Sequence, residues 1–170
     1  LMYKCVQSLK RQAPDCELFL YTFKEELKDS ERLDKFDVKF RELKKDRWTN
    51  RRMACKIETI PEVIKESSSG DLVLVLDSDL YFQDDPFKLF DDSNDVFITS
   101  RSYSYHYPIN AGVWGFVNNK ESRKFIEFYI QQIQNPTWDK LVEYRKKRGL
   151  RPENKGGKMF DWWVDQDFLC

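Results

Sequence analysis

Two aspartates separated by one residue stand directly after the longest unbroken apolar run in the chain: Leu72–Leu76 reads LVLVL, and Asp77-Ser78-Asp79 follows. In extended backbone, positions i and i+2 project to the same side, so both carboxylates can face one ligand. Two neighbouring carboxylates repel each other unless a cation lies between them. A hard divalent ion, Mn²⁺ or Mg²⁺, takes oxygen ligands and keeps its remaining positions for water and phosphate oxygens. An Asp-x-Asp triplet is common in strand-to-loop turns. Its place at the end of an apolar strand is what points to metal and phosphate chemistry.

Two further segments carry unusual polar residues. Residues 108–116 (PINAGVWGF) set the amide of Asn110 beside Ala111 and Gly112, small residues that allow a ligand close to the backbone. Gly115 marks a bulge or a ligand contact, the plain alternative being a glycine-weakened strand with Trp114 in the core. Residues 161–169 (DWWVDQDFL) surround Asp165, Gln166 and Asp167 with apolar anchors. A helix start with acids against its dipole accounts for the aspartates but not for Gln166.

These residues need a scaffold, and the pattern supplies one. Leu1, Cys5 and Leu9, with Val6, form the apolar face of a helix that ends before Pro14. Residues 17–23 (ELFLYTF) and 36–40 (FDVKF) read as strands. Residues 50–66 have helical periodicity through Met53, Ile57, Ile60 and Ile64, with Pro61 as a kink or break. A turn over residues 67–70 leads into Leu72–Leu76, a run typical of a central parallel strand. Val96–Ser100 and Ile109–Val117 are further strands. Residues 121–134 form a helix with Phe125, Phe128, Tyr129 and Ile133 on one face, residues 138–147 a second, and residues 162–169 a short last one. Strands alternating with helices indicate an α/β fold, a mostly parallel central sheet flanked by helices. Ligands in such sheets sit beyond the carboxyl ends of the strands, where the acid pair lies.

Composition narrows the function. The 170 residues are the size of one domain, 1–170, and 41% hydrophobic with 15% aromatic content argues against disorder. Lys plus Arg and Asp plus Glu both total 29, so net charge gives no case for nucleic acid as a partner. Locally the balance breaks. Residues 77–95 hold seven acids against Lys88, and residues 140–158 hold eight bases against Glu143 and Glu153. The basic stretch is a solvated surface or a site of membrane-surface association. No apolar run is long enough to span a bilayer, and no signal peptide is visible. Cys5, Cys16, Cys55 and Cys170 have neither disulfide-framework nor metal-site spacing and read as small buried hydrophobes.

Taken in order, a strand ending in Asp-x-Asp, then Asn-Ala-Gly-x-x-Gly, then Asp-Gln-Asp, the chain resembles nucleotide-sugar-dependent glycosyltransferases of the A-type fold, the glycogenin and lipopolysaccharide galactosyltransferase type. The resemblance implies that Asp77 and Asp79, flanking Ser78, hold Mn²⁺ (or Mg²⁺) and the diphosphate of a nucleotide-sugar donor, a UDP-sugar foremost. It implies that Asn110, Ala111 and Gly112 line the donor sugar and acceptor cleft. Asp165 and Gln166 would contact the transferred sugar, and Lys56, with Arg52 next, would reach the donor from the helix before the metal strand. Two departures stand out: the family opens with a uracil-holding strand that this chain lacks, and it closes its metal site with a downstream histidine. The single histidine here, His106, reads instead as a loop residue among Tyr103, Tyr105 and Tyr107. The expectation is a fragment, or an abbreviated member, moving a sugar to the hydroxyl of a glycan, lipid-linked or protein acceptor. It would work in the cytoplasm or, with an anchor elsewhere, at the Golgi. The rivals are a sugar-nucleotide-forming nucleotidylyltransferase, which would want a Gly-rich phosphate loop near its start, and a non-catalytic glycan-binding domain of the same fold.

Overall fold

The computed structural model describes residues 1–22, 31–43, 59–91, 93–100 and 109–134, with 143, 146 and 147. Helices and strands alternate along them, and the chain divides into two compact units: residues 1–47 with 76–94, and residues 48–75 with 95–170.

In the first unit, helix α1 (Met2–Gln12) buries Cys5, Val6, Ser8 and Leu9, an apolar stripe with one hydroxyl in it. Leu1, expected on that stripe, stands outside the helix as its N-cap and is 90% exposed. Ala13 leaves the helical region (φ −133°, ψ 74°) just ahead of Pro14, as the steric restriction on a residue preceding proline demands. Lys10 Nζ then donates to the carbonyls of Pro14 (3.1 Å) and Cys16 (2.6 Å), closing the helix's carboxyl end with a cation. Strands β1 (Leu18–Thr22) and β2 (Val38–Glu42) pair in parallel, in register from Leu18–Val38 to Thr22–Glu42. β2 starts two residues later than the alternation of FDVKF suggests. Asp34–Phe36 form a 3₁₀ turn instead, and Asp37 closes it in the left-handed region at φ 53°, which aspartate tolerates better than most residues.

In the second unit, helix α2 (Ile60–Glu66) carries Pro61 in its first turn, where a missing N–H is harmless. Met53 and Ile57, expected on the same helix, lie outside the described residues. Strands β3 (Leu72–Leu76), β4 (Val96–Ser100) and β5 (Ile109–Val117) form a sheet in the order β3-β5-β4. β3, expected at the centre, is an outer strand among the described residues, and its Leu72 is 41% exposed. β5 holds the centre and contributes the fully buried Trp114 and Phe116. β4 and β5 pair antiparallel. Only residues 101–108 separate them, fewer than the dozen or so that a parallel crossover needs. The α/β alternation is therefore present, in sheets of two and three strands rather than one clear mostly parallel sheet.

Helix α3 (Lys120–Gln134) follows β5. At about 100° per residue, Ser122, Ile126 and Tyr129 share one face, and all three are buried. Phe128, expected on that face, lies well off it and is 58% exposed. Tyr129 meets Trp114 edge-on at 5.9 Å and stacks on Phe125 at 6.1 Å. Farther on, Glu143, Lys146 and Lys147 are helical, with Lys147 Nζ 3.0 Å from Glu143.

Candidate functional site

Asp77 and Asp79 are delivered by β3, but not in the extended geometry expected from the sequence. The chain turns after Leu76: Ser78 and Asp79 form a turn, with Asp77 half-buried and Ser78 and Asp79 exposed. Strand alternation therefore does not aim the two carboxylates; the shape of the turn does.

That turn rests on α1. Cys5 Sγ lies 3.8 Å from the Asp77 carbonyl, to which it donates. Ser8 Oγ accepts from Phe82 N–H at 3.0 Å and donates to the Cys5 carbonyl at 2.9 Å. Gln12 Nε2 donates to the Gln83 carbonyl at 3.0 Å, and Arg11 Nη2 to the Tyr81 hydroxyl at 3.1 Å. Residues 5, 8, 11 and 12 lie along one side of a helix, so a single helix edge holds the segment from Asp77 to Gln83. Burial pushes the Cys5 thiol up; a hydrogen bond from the Leu80 backbone opposes this, and the Asp79 carboxylate adds to it. Cys5 is thus a protonated, buried packing residue at neutral pH, as expected. Cys16 is free and half-buried, and its thiol is also raised, by burial first.

The acids beyond the pair have structural work. Asp84 Oδ1 accepts from Lys88 Nζ and from the Asp85 backbone, each at 2.8 Å, and the lysine holds the Asp84 carboxyl below its usual range. Asp85 caps the 3₁₀ turn Pro86–Leu89, accepting from Phe87 N–H at 2.9 Å. Asp91 Oδ1 accepts from the Ser93 hydroxyl (2.5 Å), the Ser93 backbone (2.9 Å) and Asn94 Nδ2 (2.9 Å), which lowers its carboxyl. In the second unit, Asp95 Oδ1 accepts from Asn119 Nδ2 at 2.5 Å. Asp79 differs: among the described residues no hydrogen bond or ion pair holds its exposed carboxylate.

The Asn110-Ala111-Gly112 segment lies at the irregular part of β5. Pairing with β4 runs Val96–Phe116, Phe97–Gly115, Ile98–Trp114, then jumps to Thr99–Asn110. Ala111, Gly112 and Val113 are left over on β5, a bulge of three residues, and Thr99 Oγ1 spans it with a 2.8 Å bond to the Val113 carbonyl. Bulges of this kind re-aim backbone groups and cluster beside functional sites. Gly115, read from the sequence as a bulge marker, pairs regularly with Phe97; the bulge belongs to the segment around Gly112. Gly112 itself is buried.

Two residues that matter to this scaffold carry no motif. Ser8 is one polar residue in an apolar stripe, a signal available only by asking why the stripe is interrupted. Asn118, fully buried at the end of β5, binds the turn that opens β3. Its Nδ2 donates to Ser67 Oγ at 2.7 Å and to the Ser68 carbonyl at 3.1 Å, while its Oδ1 accepts from Arg123 Nε at 2.8 Å. Its backbone closes the same turn, donating to Asp71 O at 2.7 Å and accepting from Gly70 N–H at 3.0 Å. Gly70 stands at φ 95°, a conformation open to glycine. Arg52, Lys56, His106, Asp165 and Gln166 lie outside the described residues, as do Cys55, Cys170, the helix expected at 162–169 and most of the basic stretch 140–158. No family model, no curated protein and no solved structure matches the chain.

Proposed function

We propose that this chain is a metal-dependent glycosyltransferase domain that moves a sugar from a nucleoside diphosphate sugar, a UDP-sugar foremost, to an acceptor hydroxyl, on an A-type fold with a mostly parallel sheet. The supporting observation is the contrast among the acids of residues 77–95. Asp84, Asp85, Asp91 and Asp95 are engaged in turns, caps and contacts, whereas Asp79 sits exposed and unengaged among the described residues in a turn fixed by α1. Leaving a carboxylate exposed and its backbone anchored suits a ligand group better than a structural one.

Oxygen donors alone on Asp77 and Asp79 suit Mn²⁺ or Mg²⁺ rather than a softer ion. No group of three or more His, Cys, Asp or Glu side chains is arranged for an ion among the described residues, so donor phosphate and water would complete the shell. When bound, the ion would neutralise charge that builds on the departing diphosphate. Ser78 lies between the acids on the same turn. Asn110 pairs with Thr99 at the edge of the β5 bulge, and Ala111 and Gly112 lie within it, where the backbone departs from regular strand geometry, the kind of surface that can follow a sugar's hydroxyls. Asp165 and Gln166 would steady the oxocarbenium-like sugar, and Lys56 with Arg52 would meet donor phosphate.

The test is calorimetry of UDP-sugars with and without Mn²⁺, alongside nucleotide release from a panel of donors. Wild type should bind a donor only with the metal, and Asp79→Ala should lose that binding while keeping its circular dichroism. Donor affinity unchanged in Asp79→Ala refutes the metal assignment; metal-supported binding without nucleotide release to any acceptor favours a binding module.

A further inference from the structure

We propose that Ser8 is a positioning residue for the acid pair, holding the Asp77–Asp79 turn in its ligating shape through the Phe82 backbone; the role rests on the metal-dependent reading above. Ser8 is 3% exposed on the apolar stripe of α1. A buried hydroxyl costs free energy unless both its donor and its acceptor capacity are used. Here both are: the proton goes to the Cys5 carbonyl at 2.9 Å, and the oxygen accepts Phe82 N–H at 3.0 Å.

The site of that second bond gives it leverage. The turn is attached at its start by β3 and at Cys5, whose Sγ donates weakly to the Asp77 carbonyl at 3.8 Å and accepts from the Leu80 backbone, sulfur being a weak donor and a weak acceptor. Its exit is attached by Ser8 to Phe82, with one exposed bond on either side, Arg11 to Tyr81 before it and Gln12 to Gln83 after it. Exposed side-chain bonds exchange readily with water and hold geometry poorly. The Ser8 bond is the partly buried one among the three, three residues from Asp79. A carboxylate pair binds an ion well only if its backbone is fixed before the ion arrives. Removing Oγ would leave Phe82 N–H without its acceptor and free the turn to sample other shapes.

The experiment uses the full 170-residue chain with Ser8→Ala, and with Val6→Ala as a control. Val6 is 8% exposed on the same helix, and no bond joins it to the turn among the described residues. Two quantities are measured well below each variant's Tm: amide exchange by mass spectrometry over residues 77–83, and Mn²⁺ affinity by electron paramagnetic resonance. Ser8→Ala should speed exchange over 77–83 and weaken Mn²⁺ binding, each by about five- to ten-fold for the loss of one partly buried bond. Val6→Ala, even at an equal loss of Tm, should leave both unchanged. Unaltered exchange over 77–83 in Ser8→Ala overturns the anchoring itself, whatever the metal does. Faster exchange with unaltered Mn²⁺ affinity overturns the positioning role, as does an equal loss of affinity in Val6→Ala. If wild type binds no Mn²⁺, the metal-dependent reading fails and the role of Ser8 falls with it, an outcome visible before any variant is compared.

Discussion

Replacing Asn118 with alanine isolates the side chain that ties the entry of β3 to the exit of β5. The substitution removes two short bonds from Nδ2, to Ser67 Oγ (2.7 Å) and the Ser68 carbonyl (3.1 Å), and one charge-assisted bond from Arg123 at 2.8 Å. Each neutral bond is worth about 1 kcal/mol net, and one to a charged group about 1.5–3. Arg123 is exposed and can turn to water, so its share falls below that range, to less than about 1 kcal/mol. A small void at a fully buried position adds to the loss. The sum is about 3 kcal/mol, which in a chain of this size lowers Tm by about 6–12 °C. Backbone bonds from Asn118 to Asp71 and Gly70 survive the change, so the fold should persist. Two companions divide the total. Arg123→Ala removes only the exposed partner and should cost below about 1 kcal/mol. Asn118→Asp keeps the Arg123 bond but points an acceptor at the Ser68 carbonyl, and should cost at least as much as alanine. Thermal and urea unfolding of the three variants supply the numbers. Asn118→Ala within about 1 kcal/mol of wild type, or Arg123→Ala matching it, would refute the partition.

Three other outcomes follow from the same structure. Thr99→Val removes the hydroxyl that spans the β5 bulge to Val113 O; it should lower stability by about 1 kcal/mol in urea unfolding, with Thr99→Ser restoring most of it. The Asp91 carboxyl, held low by its bonds from Ser93 and Asn94, contributes stability above its unfolded pKa of about 3.9. That contribution is lost as pH falls through the lower folded value, and an NMR titration should place the Asp91 midpoint below that of an aspartate in an unfolded chain. Under the proposed chemistry, Asp165→Asn should cut turnover on the order of 10² while changing donor affinity little, and Asp167→Asn should do neither; equal small effects would reduce the segment to a helix start with acids.

Most of the scaffold was legible because its signals are local. Helix α1, the strands β1, β3, β4 and β5, and helix α3 follow from apolar period, from Pro14 and from the turn ending at Gly70. The failures come from interactions the pattern does not encode. Which strand is central depends on pairing, so among the described residues the apolar run Leu72–Leu76 takes an outer place while β5, with Gly112 and Gly115, takes the middle. Phe128 was assigned to the buried face of α3 by being apolar, yet the face is set by Ser122, Ile126 and Tyr129. Asp37 ended a turn where alternation placed a strand.

The acid-rich segment shows the same limit at the candidate site. Counted along the sequence, seven acids in residues 77–95 are one electrostatic feature, and nothing in their type separates Asp79 from Asp91. The separation arises from neighbours of a few residues' reach. Ser93 and Asn94 follow Asp91, Pro86 follows Asp85, and Lys88 stands four beyond Asp84, so each of these carboxylates finds a partner within its own turn. Asp79 is followed by Leu80, Tyr81 and Phe82, whose side chains offer no cation and whose backbone is already committed to α1 at Phe82. An acid with apolar neighbours and an anchored backbone has lone pairs that no described residue claims, and under the proposed chemistry these would serve the metal. That local poverty of partners, rather than the count of acids, is what marks Asp79 out, and it could have been read from four residues of sequence.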